Sequence, residues 1–135
     1  MIDIGPSPAH RRGHIPGAWF AIRARLADDL AGVPDDRPFV LTSANGLLAQ
    51  FAVPEVAALT GRAPRALTGG TAAWVAAGLP LETGLTRAAS LPEDVYKRPY
   101  EGTENAVSAM EDYLEWEFGL VEQLGRDATH HFKVI

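Results

Sequence analysis

Residues 38–50, PFVLTSANGLLAQ, run an apolar segment into a polar turn and then into a second apolar segment. PFVLTS is a compact apolar run of the kind that forms a strand buried on both faces of a parallel sheet. Ala44-Asn45-Gly46 breaks it. From Leu47 to Leu59 the sequence is helix-like, with Pro54 in the middle set either to kink the helix or to open a second helical turn, because proline lacks the N–H and crowds the preceding turn. The loop between strand and helix therefore lies where open α/β sheets bind ligands, outside the carboxyl end of a strand.

Working outward, the chain opens with MIDI, a short β-like run halted at GPSP, where Gly and two Pro block a ladder. PSPAHRRG reads as a turn or a single helical turn, and HIPGAWF as an extended piece around a Pro-Gly turn. In residues 21–31, AIRARLADDLA, Ile22, Leu26 and Leu30 recur at helical spacing with the charges on the other face, and GVPDD ends that helix. Downstream, GRAPRALTGG provides a loop, a short strand ending near Thr68 and a Gly pair, and TAAWVAAG a short helix stopped at Gly78. Strands alternating with helices at these spacings predict an α/β domain, a short, mostly parallel sheet flanked by helices.

From Leu79 to about Gly102 the chain reads as a connection over the surface. A C-terminal helical extension follows, with Val107, Met110, Leu114, Val121 and Leu124 on one side and Glu111, Asp112, Glu115 and Glu122 on a solvated one. Thr103 is its candidate N-cap and Gly125 its candidate stop.

With 135 residues the chain can bury one modest core. It has no cysteine, which removes disulfides, thiolate metal sites and persulfide chemistry on this chain together. No stretch approaches the roughly 18–20 uncharged apolar residues of a membrane span, and the N-terminus has no secretory pattern, so a cytoplasmic protein without membrane contact is expected. Residues 1–90 carry 7 acidic and 8 basic side chains and residues 91–135 carry 10 and 4, so the net charge of -5 belongs to the tail. The adjacent basic pairs are Arg11-Arg12 and Lys97-Arg98, too sparse for a nucleic-acid face. His130, His131 and Asp127 read as a surface terminus and not a metal site, since neighbouring histidines on an extended chain point opposite ways. Tyr96 and Tyr100, flanking Lys97 and Arg98, read as rings packed over the surface. Neither a metal nor a cofactor is expected.

IDI at 2–4, GHIPGAWF at 13–20 and LTGGTAAWVAAGLPLETG at 67–84 resemble, in order, spacing and wording, the rhodanese (sulfurtransferase) domain. The resemblance covers residues 1–84; residues 85–135, a linker and amphipathic helix, resemble the C-terminal extension of bacterial tandem-rhodanese sulfurtransferases. The family's usual first strand and helix have no counterpart, which implies an edge element supplied from elsewhere and a chain that is a piece of something longer. Within the blocks, Gly13 and Gly17 are read as positions of backbone freedom around Pro16, and His14 as a ring bonded to nearby backbone that ties the turn to the sheet. Gly69 and Gly70 let the chain pass closely from strand to helix, Trp74 is expected to bury its ring between helix and sheet, and Asp3 to be a satisfied structural acceptor.

Rhodanese chemistry needs a cysteine whose persulfide is held by inward-pointing loop N–H groups and a helix N-terminus. Aligned on Gly46, Ser43 falls at the family's cysteine, Leu48 at its arginine and Ala49 at its hydroxyl residue, and Gly5 stands where the family commonly has arginine. A serine hydroxyl is not ionised near neutral pH, and Ser43 lacks both a nucleophile elbow and a base placed by sequence. The resemblance thus implies a catalytically inactive rhodanese-like domain, the structural or regulatory C-terminal module of a multidomain sulfurtransferase, with sister rhodanese domains or a second copy as partners. Two alternatives stand beside it: a loop of Ser43, Ala44, Asn45 and Gly46 that still cradles a small oxyanion, and a part of an active thiosulfate sulfurtransferase whose cysteine lies in another domain.

Overall fold

A computed structural model describes residues 1–96 and 107–127. Thr103, Lys97-Arg98, Tyr100 and the His130-His131 pair lie outside the described residues. Two compact units divide the chain, Met1–Val95 and Tyr96–Ile135.

In the first unit the elements run β1 (Ile2–Asp3), α1 (Ser7–Arg12), β2 (Trp19–Phe20), α2 (Leu26–Asp29), β3 (Val40–Thr42), α3 (Leu47–Thr60), β4 (Arg65–Ala66) and α4 (Gly70–Ala76). The sheet is parallel throughout, in the order β2-β1-β3-β4. Because the chain moves from β1 to one side and from β3 to the other, the strand order reverses between β1 and β3. A crevice at the carboxyl ends of those two strands is the expected ligand position of such a sheet.

Strand side chains alternate between the two faces. Ile2 and Ile4, Ala21 and Leu41 enter one core with Leu26 of α2 and Ala49, Ala52 and Val56 of α3, the last three at helical spacings of three and four. On the opposite face the register sets Asp3 beside Phe20 and beside Thr42. This row is buried as well, so β3 is covered on both faces.

Several elements depart from the sequence expectation. Residues 21–31 do not form one helix: a 3-10 turn (Arg23–Arg25), α2 and a second 3-10 turn (Leu30–Gly32) replace it. The reason is a distant tie, since Ser90 Oγ accepts the Ile22 N–H at 2.8 Å and donates to the Asp29 carboxylate. Pro54 neither breaks nor restarts α3, which runs continuously over 14 residues; the Gln50 carbonyl that loses its donor there sits on an exposed residue, where water can serve it. The stretch after Leu79 is more than a surface connection: Ala88 pairs with Phe20, Ala89 packs on the core, and Asp94 Oδ2 accepts the Ser7 N–H at the start of α1 at 2.7 Å.

The second unit contains α5 (Val107–Asp127). It runs through Gly125, because a glycine inside a helix costs only about 1 kcal/mol relative to alanine and does not compel a stop.

Candidate functional site

Strand β3 ends at Thr42 and delivers Ser43 to the loop. Ser43 is buried, and its hydroxyl accepts the Ala49 N–H at 3.3 Å. The Ser43 carbonyl accepts the N–H of Gly46 at 3.3 Å and of Thr71 at 3.0 Å, and the Ala44 carbonyl accepts that of Ala72 at 2.8 Å. Asn45 turns its Oδ1 onto the Leu47 N–H at 3.1 Å. Three amides around the loop, those of Gly46, Leu47 and Ala49, therefore already have acceptors from within it. Leu48, at the position the resemblance gives to arginine, packs partly buried against the core.

Glycine is required where this loop meets the start of α4. Gly70 has φ of +59°, and a β-carbon there would stand 2.0 Å from the Ser43 carbonyl oxygen and 2.4 Å from the Gly46 nitrogen. At Gly46, with φ of +80°, a β-carbon would stand 2.7 Å from the Leu67 carbonyl oxygen. The two turns are locked backbone to backbone, and side chains have no room between them. Gly69 is the N-cap residue just before α4, also at positive φ, and a β-carbon there would stand 2.7 Å from that of Ala73.

Asp3 ends β1 and is buried at 5% exposure. Its Oδ1 accepts the Gly5 N–H at 2.9 Å, and its Oδ2 the Nδ1 proton of His10 at 2.8 Å. His10 lies buried on the inward face of α1, the helical alternative of the two expected for PSPAHRRG, and its role is not evident from the sequence. A histidine four residues before His14 is the signal that could have found it, since α1 ends at Arg12 and the chain then carries His14 back so that the two rings stack. The two rings stack with centroids 3.7 Å apart and planes within 6°, and Phe20 tilts against His10 at 5.4 Å. His14 Nδ1 bonds the His10 carbonyl at 2.8 Å, and its backbone pairs with that of Glu82. The Nε2 atoms of both histidines and the Thr42 hydroxyl are buried without a hydrogen-bond partner among the described residues.

Glu82 holds the Pro-Gly turn from outside. The Gly17 N–H, and after it the Thr86 hydroxyl, keep its carboxyl below the ordinary 4.5, with Arg87 and His14 adding attraction. Gly17 has φ of +79°, whereas Gly13, with φ of 175°, is simply extended; a β-carbon at Gly13 would come within 2.9 Å of the Leu81 Cδ1, the end of an exposed side chain that can shift. Trp74 is half-exposed and not buried between helix and sheet, because its N–H finds an acceptor in the surface carbonyl of Pro80 at 2.8 Å.

Between α1 and α4, over the carboxyl ends of β1 and β3, lies a cavity of about 460 Å³ lined by Asp3, His10, Ala44, Thr71 and apolar residues of both helices. The strand-order reversal, the loop and the Asp3-His10 pair thus meet at one place. Among the described residues no group of three or more His, Cys, Asp or Glu could hold a metal, and no helix is long and apolar enough to cross a membrane.

A thiosulfate sulfurtransferase from Pseudomonas aeruginosa superposes with a TM-score of 0.88 at 52% identity, over 99% of this chain and 26% of its own. The Rhodanese_3 like domain of an Anabaena sp. protein superposes at 0.54 with 27% identity, over 60% of this chain and 94% of its own. The fold is rhodanese-like. No family model matches the chain. The rhodanese-like chain is also 37% identical over 86 residues to the HTH-type transcriptional regulator Rv0324 of Mycobacterium tuberculosis, 62% of this chain and 38% of that protein. It therefore spans about a quarter of the Pseudomonas protein and under two fifths of the regulator.

Proposed function

We propose that this rhodanese-like chain is a noncatalytic module of a longer sulfurtransferase, serving a structural or regulatory role toward a sister domain that carries the reactive cysteine. The observation that carries the reading is the chemistry of the loop. The chain has no cysteine, and the residue at the family's cysteine position is a buried serine whose hydroxyl accepts the Ala49 N–H. With a leucine at the cation position, nothing there draws a thiosulfate anion, and a neutral hydroxyl holds no sulfane sulfur. The likeness to a quarter of a thiosulfate sulfurtransferase supports the second half of the proposal, that the chemistry belongs to a larger protein.

The test is sulfur transfer from thiosulfate to cyanide by the purified chain, which should proceed at the rate without protein. Ser43→Cys alone should leave that rate unchanged, since the amides of Gly46 and Leu47 remain engaged and the cation is still absent. Turnover by the unaltered chain, or a sulfur adduct on it in mass spectra, would overturn the reading.

A further inference from the structure

We infer that the second unit binds a free quaternary ammonium compound in an aromatic pocket made by Tyr96 and α5. Ala109, Asp112, Tyr113 and Trp116 recur along α5 at spacings of three and four, which sets them on one side of the helix. With Tyr96 they line a cavity of about 360 Å³, within the roughly 300–1,000 Å³ of small-molecule sites. Ala109 is small, so three aromatic rings and one carboxylate bound the space. The Tyr113 and Trp116 rings have centroids 5.9 Å apart and planes inclined at 37°, so they form two sides of a wedge and not a closed stack. Tyr96 is 81% exposed and Trp116 about half-exposed, which leaves aromatic surface open to a guest.

The sign of the guest's charge follows from the rings and their neighbours. The face of an aromatic ring is its negative side, and a cation held over it is attracted. Asp112 is the charged residue lining the pocket, and among the described residues no Lys or Arg lines it. The same stretch of α5 adds Glu111, Glu115 and Glu117, with no basic residue from Val107 to Glu117. The Tyr113 hydroxyl donates to Glu117 Oε1 at 3.3 Å, so a carboxylate also braces one of the rings. An anion entering here would meet carboxylates and negative ring faces together. A primary ammonium brings three donors that a lining with one carboxylate does not satisfy, whereas a trimethylammonium brings none and lays its methyl groups on the rings. This assignment stands apart from the loop at Ser43 and does not depend on whether the chain transfers sulfur.

The experiment is an NMR titration of the full 15N-labelled chain, so that Lys97 and Arg98, next in sequence to Tyr96, act in the measurement. The probes are choline chloride, 3,3-dimethyl-1-butanol, which has the same shape without the charge, and sodium chloride at equal ionic strength. Choline at millimolar concentration should shift the Trp116 indole N–H and the Asp112 and Tyr113 amides, with the neutral alcohol at least about tenfold weaker and sodium chloride without effect. Phosphatidylcholine vesicles at the same headgroup concentration should leave these signals in place. Tyr96→Ala, at an exposed position outside the helix, should keep a dispersed, folded spectrum and weaken choline at least about fivefold, whereas Tyr96→Phe keeps the ring and should bind like the parent chain. Choline that leaves the Trp116 indole unmoved, an alcohol that binds as well as choline, vesicles that produce the shifts choline does not, or undiminished binding by folded Tyr96→Ala would each overturn the assignment.

Discussion

At Gly70 the backbone is in the left-handed region and in contact with a neighbouring turn at the same time. Gly70→Ala therefore suffers both a disfavoured φ and a collision with the Ser43 carbonyl, and should lower stability by about 2–4 kcal/mol in urea unfolding with an unchanged m-value. Gly32→Ala, where a β-carbon meets nothing within 4 Å, should stay within about 0.5 kcal/mol. If the two variants proved equally stable, the backbone-to-backbone lock would be refuted. Asp3 poses a different problem, because its two oxygens satisfy two buried donors. Asp3→Ala strands the Gly5 N–H and the His10 ring, at a cost of about 2–5 kcal/mol by the same assay. Asp3→Asn keeps one acceptor oxygen and should cost less. At this scale the sequence was informative about Gly46, Gly69 and Gly70, because a strand-to-helix turn advertises its glycines. It was silent on His10, whose importance depends on a carboxylate that only folding brings to it.

At the scale of elements, the Pro-Gly turn is tied to the segment after α4 by Glu82, which bonds the Gly17 N–H and the Thr86 hydroxyl. A carboxyl held below its ordinary 4.5 in the fold binds fewer protons there than in the unfolded chain. Its stabilising contribution is complete above 4.5 and is lost as pH falls through the lowered value. Melting temperatures of the parent chain and of Glu82→Gln should therefore differ most near neutral pH and converge on acidification; a gap that widens in acid would contradict the assignment. The same scale shows why the expected helix at 21–31 came out broken. Its apolar spacing was real, and Leu26 and Leu30 are buried, but the Ser90 hydroxyl draws Ile22 and Asp29 into a local geometry that a regular helix lacks. Periodicity reports which side faces the core and says nothing of a polar tie arriving from far along the chain.

For the whole molecule, the compact unit Met1–Val95 extends past the residues that carry the family wording, which end at residue 84. Residues 85–95 give the Ala88 pairing, the buried Ser90 and the Asp94 bond to the first turn of α1. A chain ending at residue 95 should unfold cooperatively, and one ending at residue 84 should lose cooperativity or several degrees of Tm in calorimetry. Equal melting of the two would show that the last segment adds nothing to the fold.

What the sequence determined by itself was the architecture and an exclusion. An apolar strand, a glycine-bearing turn and a helix repeat along the chain, and these local signals suffice for a parallel α/β sheet because period and turn chemistry are properties of neighbours. The absence of cysteine is likewise a matter of composition, and it bars thiol chemistry on this chain before any coordinate is known. Only the tertiary structure decided what stands at the carboxyl ends of β1 and β3: the Asp3-His10 pair stacked on His14, the loop whose amides bond within it and the largely apolar cavity between α1 and α4. Those features come from contacts between separate elements, and the ties that hold the frame join residues 68 and 87 positions apart. Such pairings are set by strand order and register, which a pattern of neighbours does not encode.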